Sequence, residues 1–474
     1  MEKEKLKSLI YIMLPILGTV FVCWYITQST CDVVYSDYIR LVNSYLPDVY
    51  DLKKFLVPDV LTRIPINYLE RIINVEFFGF SVTLDRMLGA VGLGLAGLVF
   101  AAYCKRRRLG LMWFVILMAV MFSLNKWEMI TNGSGWAHFL AFAGFYYHEL
   151  VLDRVWSGQG KKGDKARLCI LPWLIILGAA GPYGASYAAI LLVSYLYCMI
   201  RSGQKGEKED QRWFVVWFFC ALIPLLLYIL SNSYVIEEHA GDTGRPLWVI
   251  LSDNPTFPIR FLLKSFAGIL VGGEELTNWM NSGLLSNKAC YGIGLFVICG
   301  YLAALWMNIR YRLYERAIMP MMLLLGGGLN HLLVFLTRYI FEKESYALNS
   351  SRYTLQFQVG IFGILLTFAL VLQIEQKFWM VGRTLAAIFS VAILLGNGYT
   401  TYHELEMAPY RKEWFEARAE RALEVPKLTD EEFEAQGDEL ADFFEYWNGN
   451  DKIRNAYRIL EENHWNVFRE EELT

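Results

Sequence analysis

Apolar stretches long enough to cross a bilayer recur from Ser8 to Tyr399, and short Lys/Arg-rich segments separate every second pair of them. A bilayer core takes about 20 apolar residues per helix, which commits most of the chain to membrane-spanning helices. Candidate spans lie at 8–27, 84–104, 109–123, 136–152, 168–181, 185–200, 213–231, 290–308, 317–336, 353–373 and 384–399. The expected fold is an all-α polytopic membrane protein with about 11 transmembrane helices. Of 474 residues, 55% are hydrophobic and only 19% charged, against roughly 25% charged in soluble domains. No small-residue cleavage site follows the first stretch, so a retained helix is expected there. Gly181-Pro182-Tyr183-Gly184 interrupts the stretch 168–200 and reads as the break in a helical hairpin.

Lys and Arg favour the cytoplasmic side of a membrane. They gather in Lys105-Arg106-Arg107-Arg108, in Arg154 to Arg167, in Arg201 to Arg212, in Arg310 to Arg316, and at Lys377 and Arg383. With Lys3, Lys5 and Lys7 on the same side, the N-terminus is expected to be cytoplasmic and the C-terminal tail extracytoplasmic. The expected organisation is a membrane domain over 1–399 and an external soluble tail over 400–474. Two further external segments belong to the membrane domain. In 28–82, Tyr38-Ile39-Arg40-Leu41-Val42 and Tyr68-Leu69-Glu70-Arg71-Ile72-Ile73 suit amphipathic juxtamembrane helices on the membrane surface. In 232–289, an acidic stretch (Glu237, Glu238, Asp242) precedes the run Phe257–Val271, too short and polar for a span and better suited to a re-entrant or interfacial helix. The tail patterns Asp430-Glu431-Glu432-Phe433 and Tyr457-Arg458-Ile459-Leu460 suit short soluble helices.

Eight Cys are scattered without metal-binding spacing and read as small apolar residues; only Cys31 and Cys290 fall near the outer face, which leaves a disulfide between them open. The net charge of -3 and the lack of any nucleic-acid motif give no support to a nucleic-acid partner. P-loop, GxSxG and HExxH motifs are missing, so nucleotide hydrolysis, serine hydrolysis and zinc proteolysis have no support. Glu149 and Glu375 sit near cytoplasmic ends, whereas ion-coupled transporters place carboxylates nearer the bilayer middle.

Three places on the external side carry chemistry. Asp37, about ten residues past the first span, reads first, taken alone, as a helix N-cap or solvated loop acid and also suits a general base on an acceptor hydroxyl; Asp32, Asp48 and Asp51 read as surface residues. Trp127 and Glu128 set a carboxylate beside an aromatic face in a short loop, fit for a sugar or for interfacial anchoring. His138, one turn into the next span, reads first as a packing histidine. Arg352, flanked by Ser350, Ser351 and Tyr353, suits bidentate phosphate binding, while Arg338 suits snorkelling to the interface.

Together these features resemble the type C glycosyltransferase superfamily, in its bacterial members. The likeness rests on an acid in the first external loop, here Asp37, followed by amphipathic segments. It rests also on Phe122-Ser123 with Trp127-Glu128 and Gly133, where Met129 stands in place of an expected Asn. Ser351-Arg352-Tyr353 at the outer start of a late span and the tail segment Leu460–Phe468 complete it. The resemblance implies an integral protein of a bacterial plasma membrane that transfers a sugar from a polyprenyl-phosphate-linked donor to a glycan, lipid or protein acceptor, with inversion. Asp37 would be the base, Arg352 would neutralise the phosphate, and Trp127, Glu128, Tyr353 and His138 would line the substrate site. The first loop lacks the adjacent acidic pair of the protein O-mannosyl and aminoarabinose transferases, so no metal ligand is assigned and a divalent metal stays open. Two other classes compete: a transporter or flippase of a lipid-linked glycan, and a non-catalytic scaffold that presents the tail.

Overall fold

The computed structural model describes residues 2–56, 58–59, 62–232, 243–349, 351–374 and 379–469. Ser350, Glu375, Lys377 and the acidic stretch at Glu237, Glu238 and Asp242 lie outside the described residues. Apart from a two-residue antiparallel pairing of Pro58–Asp59 with Thr62–Arg63, the regular structure among the described residues is helical.

Nine helices among the described residues are long and apolar enough to cross a membrane. They cover all the expected spans except 136–152 and 168–181. Those two form helices as well, Trp136–Trp156 and Asp164–Gly178. The first carries His148, Glu149, Asp153 and Arg154, and the second is only 15 residues long, so neither is both apolar and long. The break expected at Gly181 is a short 3-10 turn over Gly181–Tyr183 that leads into helix Gly184–Lys205.

The basic segments meet at one end of the bundle. Arg107 donates to Asp153 at 2.6 Å and to the Arg316 carbonyl at 2.8 Å, and Arg106 also pairs with Asp153. Arg154 binds Asp164 through two nitrogens, and Arg201 reaches Glu315 at 2.6 Å. Lys105, Arg106 and Arg107 close helix Val82–Arg107, where cations complement the helix dipole.

The opposite end is built around one helix of 46 residues, Trp379–Glu424, roughly 69 Å long at about 1.5 Å per residue. The boundary expected near residue 400 therefore falls inside a continuous helix. Beyond it, the segment 414–468 folds against residues 31–82 in a second apolar core: Val33, Val34, Leu41 and Phe80 pack with Phe415, Phe444, Tyr457 and Leu460. The Val34 N–H donates to Asn466 Oδ1, Tyr457 Oη donates to the Val34 carbonyl, and the Ser36 N–H donates to the Phe444 carbonyl. Helix Asp37–Tyr45 thus buries its apolar face against the tail and not on a membrane surface, a correction to its expected placement. Helix Pro65–Phe78 is turned the other way: Leu69, Ile73 and Phe77 are exposed in one stripe, while Asn67, Glu70, Arg71 and Asn74 are buried. A stripe of that kind suits contact with lipid. Asp32 is no free surface acid, since its carboxylate accepts the Val82 and Thr83 N–H groups that open helix Val82–Arg107.

Helix Phe257–Leu270 has 14 residues and ends inside the protein. Its terminal carbonyls, at Gly268, Ile269 and Leu270, accept from the side-chain amides of Asn125 and Asn397. Exposed to lipid, those carbonyls would cost several kcal/mol each; the two Asn residues make the buried helix end tolerable. All eight Cys are free thiols, so Cys31 and Cys290 are not joined. Close helix contact depends on glycine at Gly327, where an added Cβ would sit 2.4 Å from the Gly360 Cα. Gly327→Ala is expected to lose about 1–3 kcal/mol, read as a lower unfolding midpoint, whereas Gly328→Ala, with open space around it, leaves the midpoint unchanged.

Candidate functional site

Arg352 sits in a 3-10 turn, Ser351–Tyr353, that runs straight into helix Thr354–Ile374. The turn docks on the Trp127–Asn132 helix because Ser351 Oγ accepts the Glu128 N–H at 3.0 Å. Arg352 Nε lies 2.7 Å from Glu128 Oε1, and its NH1 lies 3.6 Å from Asp37 Oδ2. Three residues from three distant stretches of sequence therefore meet at the end opposite the basic segments. Their side chains are 41%, 24% and 31% exposed for Arg352, Glu128 and Asp37, enough for a solute to reach them.

Asp37 is the first residue of helix Asp37–Tyr45, and the cap position belongs to Ser36. Its carboxylate points to Arg352 and to Arg40, at 3.7 Å. The N-cap role considered for it does not hold.

Trp127 and Tyr353 flank the cluster, and each has a cationic partner. The Arg411 guanidinium carbon lies 3.2 Å from the Trp127 ring centroid. Arg338 donates from Nε to Tyr353 Oη at 2.6 Å and stacks on the same ring, so it orients Tyr353 and does not simply reach for the interface. His138 packs edge-on against Tyr183 at 4.8 Å, and Tyr183 is within electrostatic range of Arg352 and Tyr353.

Two groups were not legible in the sequence. Glu445, from the tail, lies within electrostatic range of Glu128 and Arg352 and is held by Arg418 at 3.7 Å. Burial lifts its carboxyl above the usual range against the pull of Arg418. Arg411 binds Glu404 through Nε and NH2 and reaches Glu274 at 3.0 Å. Neither position belongs to a recognisable motif; both come to the site through the length of one helix and the fold of the tail.

Behind Asp37 lies a buried polar network. Asp85, with 0% exposure, accepts from Tyr38 Oη at 2.5 Å, from Arg71 at 2.6 Å and from Asn74 at 3.1 Å. Tyr38 is the neighbour of Asp37, so the network fixes the start of that helix. Glu70 completes it, 3.1 Å from Arg71 NH1. Burial first, and then the Asp85 carboxylate, drive the Glu70 carboxyl well above its ordinary range despite Arg71. A carboxyl raised in the folded state contributes stability that is complete below its unfolded pKa and lost as pH climbs through the folded value. Glu70→Gln is therefore expected to match the wild-type Tm near pH 5 and to exceed it increasingly towards pH 8.

Among the described residues, a group that could hold a metal ion lies to one side: Glu275, His403 and Glu404 bring one ligand atom each within 4.8 Å of one another. In comparison with known proteins, the chain matches no family model, no curated protein and no solved structure.

Proposed function

We propose that the protein is an integral membrane glycosyltransferase, similar to the type C superfamily, that moves a sugar from a polyprenyl-phosphate-linked donor to a glycan, lipid or protein acceptor. The observation that carries this reading is the meeting of Asp37, Glu128 and Arg352 in one accessible cluster. In the proposed reaction Asp37 takes the proton of an acceptor hydroxyl, and the acceptor oxygen attacks the anomeric carbon. The bond from that carbon to the phosphate oxygen breaks, its electron pair stays on the phosphate, and Arg352 takes up the developing charge. Glu128 holds the guanidinium in place until the phosphate arrives. Eleven spans are proposed, with the more polar Trp136–Trp156 and the short Asp164–Gly178 added to the nine apolar helices. The basic end is assigned to the cytoplasm by the preference of Lys and Arg for that side, which sets the N-terminus in the cytoplasm and the cluster on the outer face of a bacterial plasma membrane.

A flippase needs a polar route through the bundle. The cavity that Glu149 lines with Ser186, Tyr187 and Asn330 is about 20 Å³, room for a single water. The test is release of polyprenyl phosphate and transfer of sugar by the purified full chain, offered polyprenyl-phosphate and polyprenyl-diphosphate sugars with candidate acceptors. Transfer that disappears in Asp37→Asn supports the proposal; transfer undiminished in Asp37→Asn removes that residue from the mechanism. No turnover of any lipid-linked sugar, together with transport of one, would replace the enzyme reading with the flippase.

A further inference from the structure

Helix Gly273–Asn281 is pinned on the long helix Trp379–Glu424 where the Gly272 N–H donates to Thr400 Oγ1 at 2.9 Å. One turn further along both helices, Glu275 comes against His403 and Glu404. Glu275 and Glu404 are only 2% and 1% exposed, so these carboxylates have lost nearly all their water. Taking ionised groups out of water is costly unless charge partners replace it. The surrounding charge does not balance. Glu274, Glu275 and Glu404 offer three carboxylates, and Arg411, bound to Glu404 at 2.9 Å through each of two nitrogens and to Glu274 at 3.0 Å, offers one guanidinium. The carboxylates therefore outnumber the guanidinium beside them.

The geometry adds an independent observation. His403 Nδ1 lies in contact with Glu275 Oε1, and Glu404 brings a carboxylate oxygen to the same place, so an imidazole and two carboxylates converge from two helices. Glu404 retains ligand capacity although Arg411 and Tyr25 Oη bind it, because a carboxylate has about four lone-pair sites. The ligand atoms lie within 4.8 Å of one another, a spacing that side-chain rotation can close around an ion bonded at about 2.0–2.2 Å.

We propose that Glu275, His403 and Glu404 bind a divalent transition-metal ion, Zn²⁺ or Mn²⁺. One imidazole among carboxylates favours these over Mg²⁺ and Ca²⁺, which take oxygen ligands. His403 is 28% exposed and leaves an entry path for the ion and for water in the remaining positions. The ion clamps the Gly273–Asn281 helix to the long helix. Through Arg411, which stacks on Trp127, it also fixes the floor beside Glu128. The site stands whether or not the protein transfers sugar.

The test uses purified full chain, stripped with chelator, dialysed, and titrated separately with ZnCl₂, MnCl₂ and MgCl₂; bound metal is counted by elemental analysis and affinity by calorimetry. One Zn²⁺ or Mn²⁺ per chain is expected. Glu275→Gln and His403→Gln each weaken it by about tenfold or more, His403→Asp retains it by keeping a ligand, and Glu413→Gln, an exposed acid on the same helix, leaves it unchanged. Failure of the unsubstituted protein to retain either Zn²⁺ or Mn²⁺ overturns the proposal without reference to any variant. So does equal affinity in Glu275→Gln and His403→Gln.

Discussion

Arg352→Ala protein is expected to transfer sugar about 10²–10³-fold more slowly than wild type, the usual loss when a preorganised charge partner is removed from a developing anion. The guanidinium is held by Glu128 at 2.7 Å and faces Asp37 at 3.6 Å, so its position is set before substrate arrives. Arg352→Lys keeps the charge and loses the planar fork, and is expected to recover only part of the rate. In the proposed reaction Asp37→Asn removes the base and is expected to cost about 10²–10⁴-fold in kcat, whereas Glu128→Gln leaves the charge on Arg352 and loosens its placement, with a smaller loss. Steady-state rates of polyprenyl phosphate release across the four variants measure this order. Equal loss in all four would point to collapse of the cluster and not to separate roles.

The largest stability effect is expected at Asp85. Asp85→Ala leaves Arg71, itself 1% exposed, as a buried cation whose chief anionic partner is gone. Breaking a buried pair in this way costs about 3–5 kcal/mol, and here Tyr38 and Asn74 lose their acceptor as well. The unfolding midpoint in detergent should fall accordingly. Arg71→Met combined with Asp85→Leu removes both charges together and is expected to be more stable than Asp85→Ala alone. A double variant no better than the single one would show that the hydrogen bonds of Asp85, and not its charge, carry the effect.

The helices and the two ends of the bundle were readable because hydropathy and Lys/Arg placement act locally along the chain. Asp37, Glu128 and Arg352 could be singled out for the same reason, each as an ionisable residue just beyond an apolar run. Their meeting could not be read, since it depends on how helices pack. Length misled where the sequence turned polar: helix Trp379–Glu424 runs on through charged sequence that resembled a separate tail. Glu445 and the Glu275, His403 and Glu404 group left no signal, because Glu445 is far in sequence from Glu128 and Arg352, Glu275 is far from His403 and Glu404, and no fixed spacing relates them. Helix Asp37–Tyr45 was rightly seen as amphipathic, but periodicity cannot say whether an apolar face meets lipid or protein.

The shared core of residues 31–82 and 414–468 has a consequence for biogenesis. During translation, Val33, Val34 and Leu41 emerge more than 370 residues before Phe415 and Tyr457, which later cover them. The early segment must wait, with its apolar side chains unprotected, while the whole membrane bundle is inserted. A nascent chain halted before residue 414 would therefore present an adhesive surface, and such chains should be the ones that chaperones hold or quality-control proteases remove.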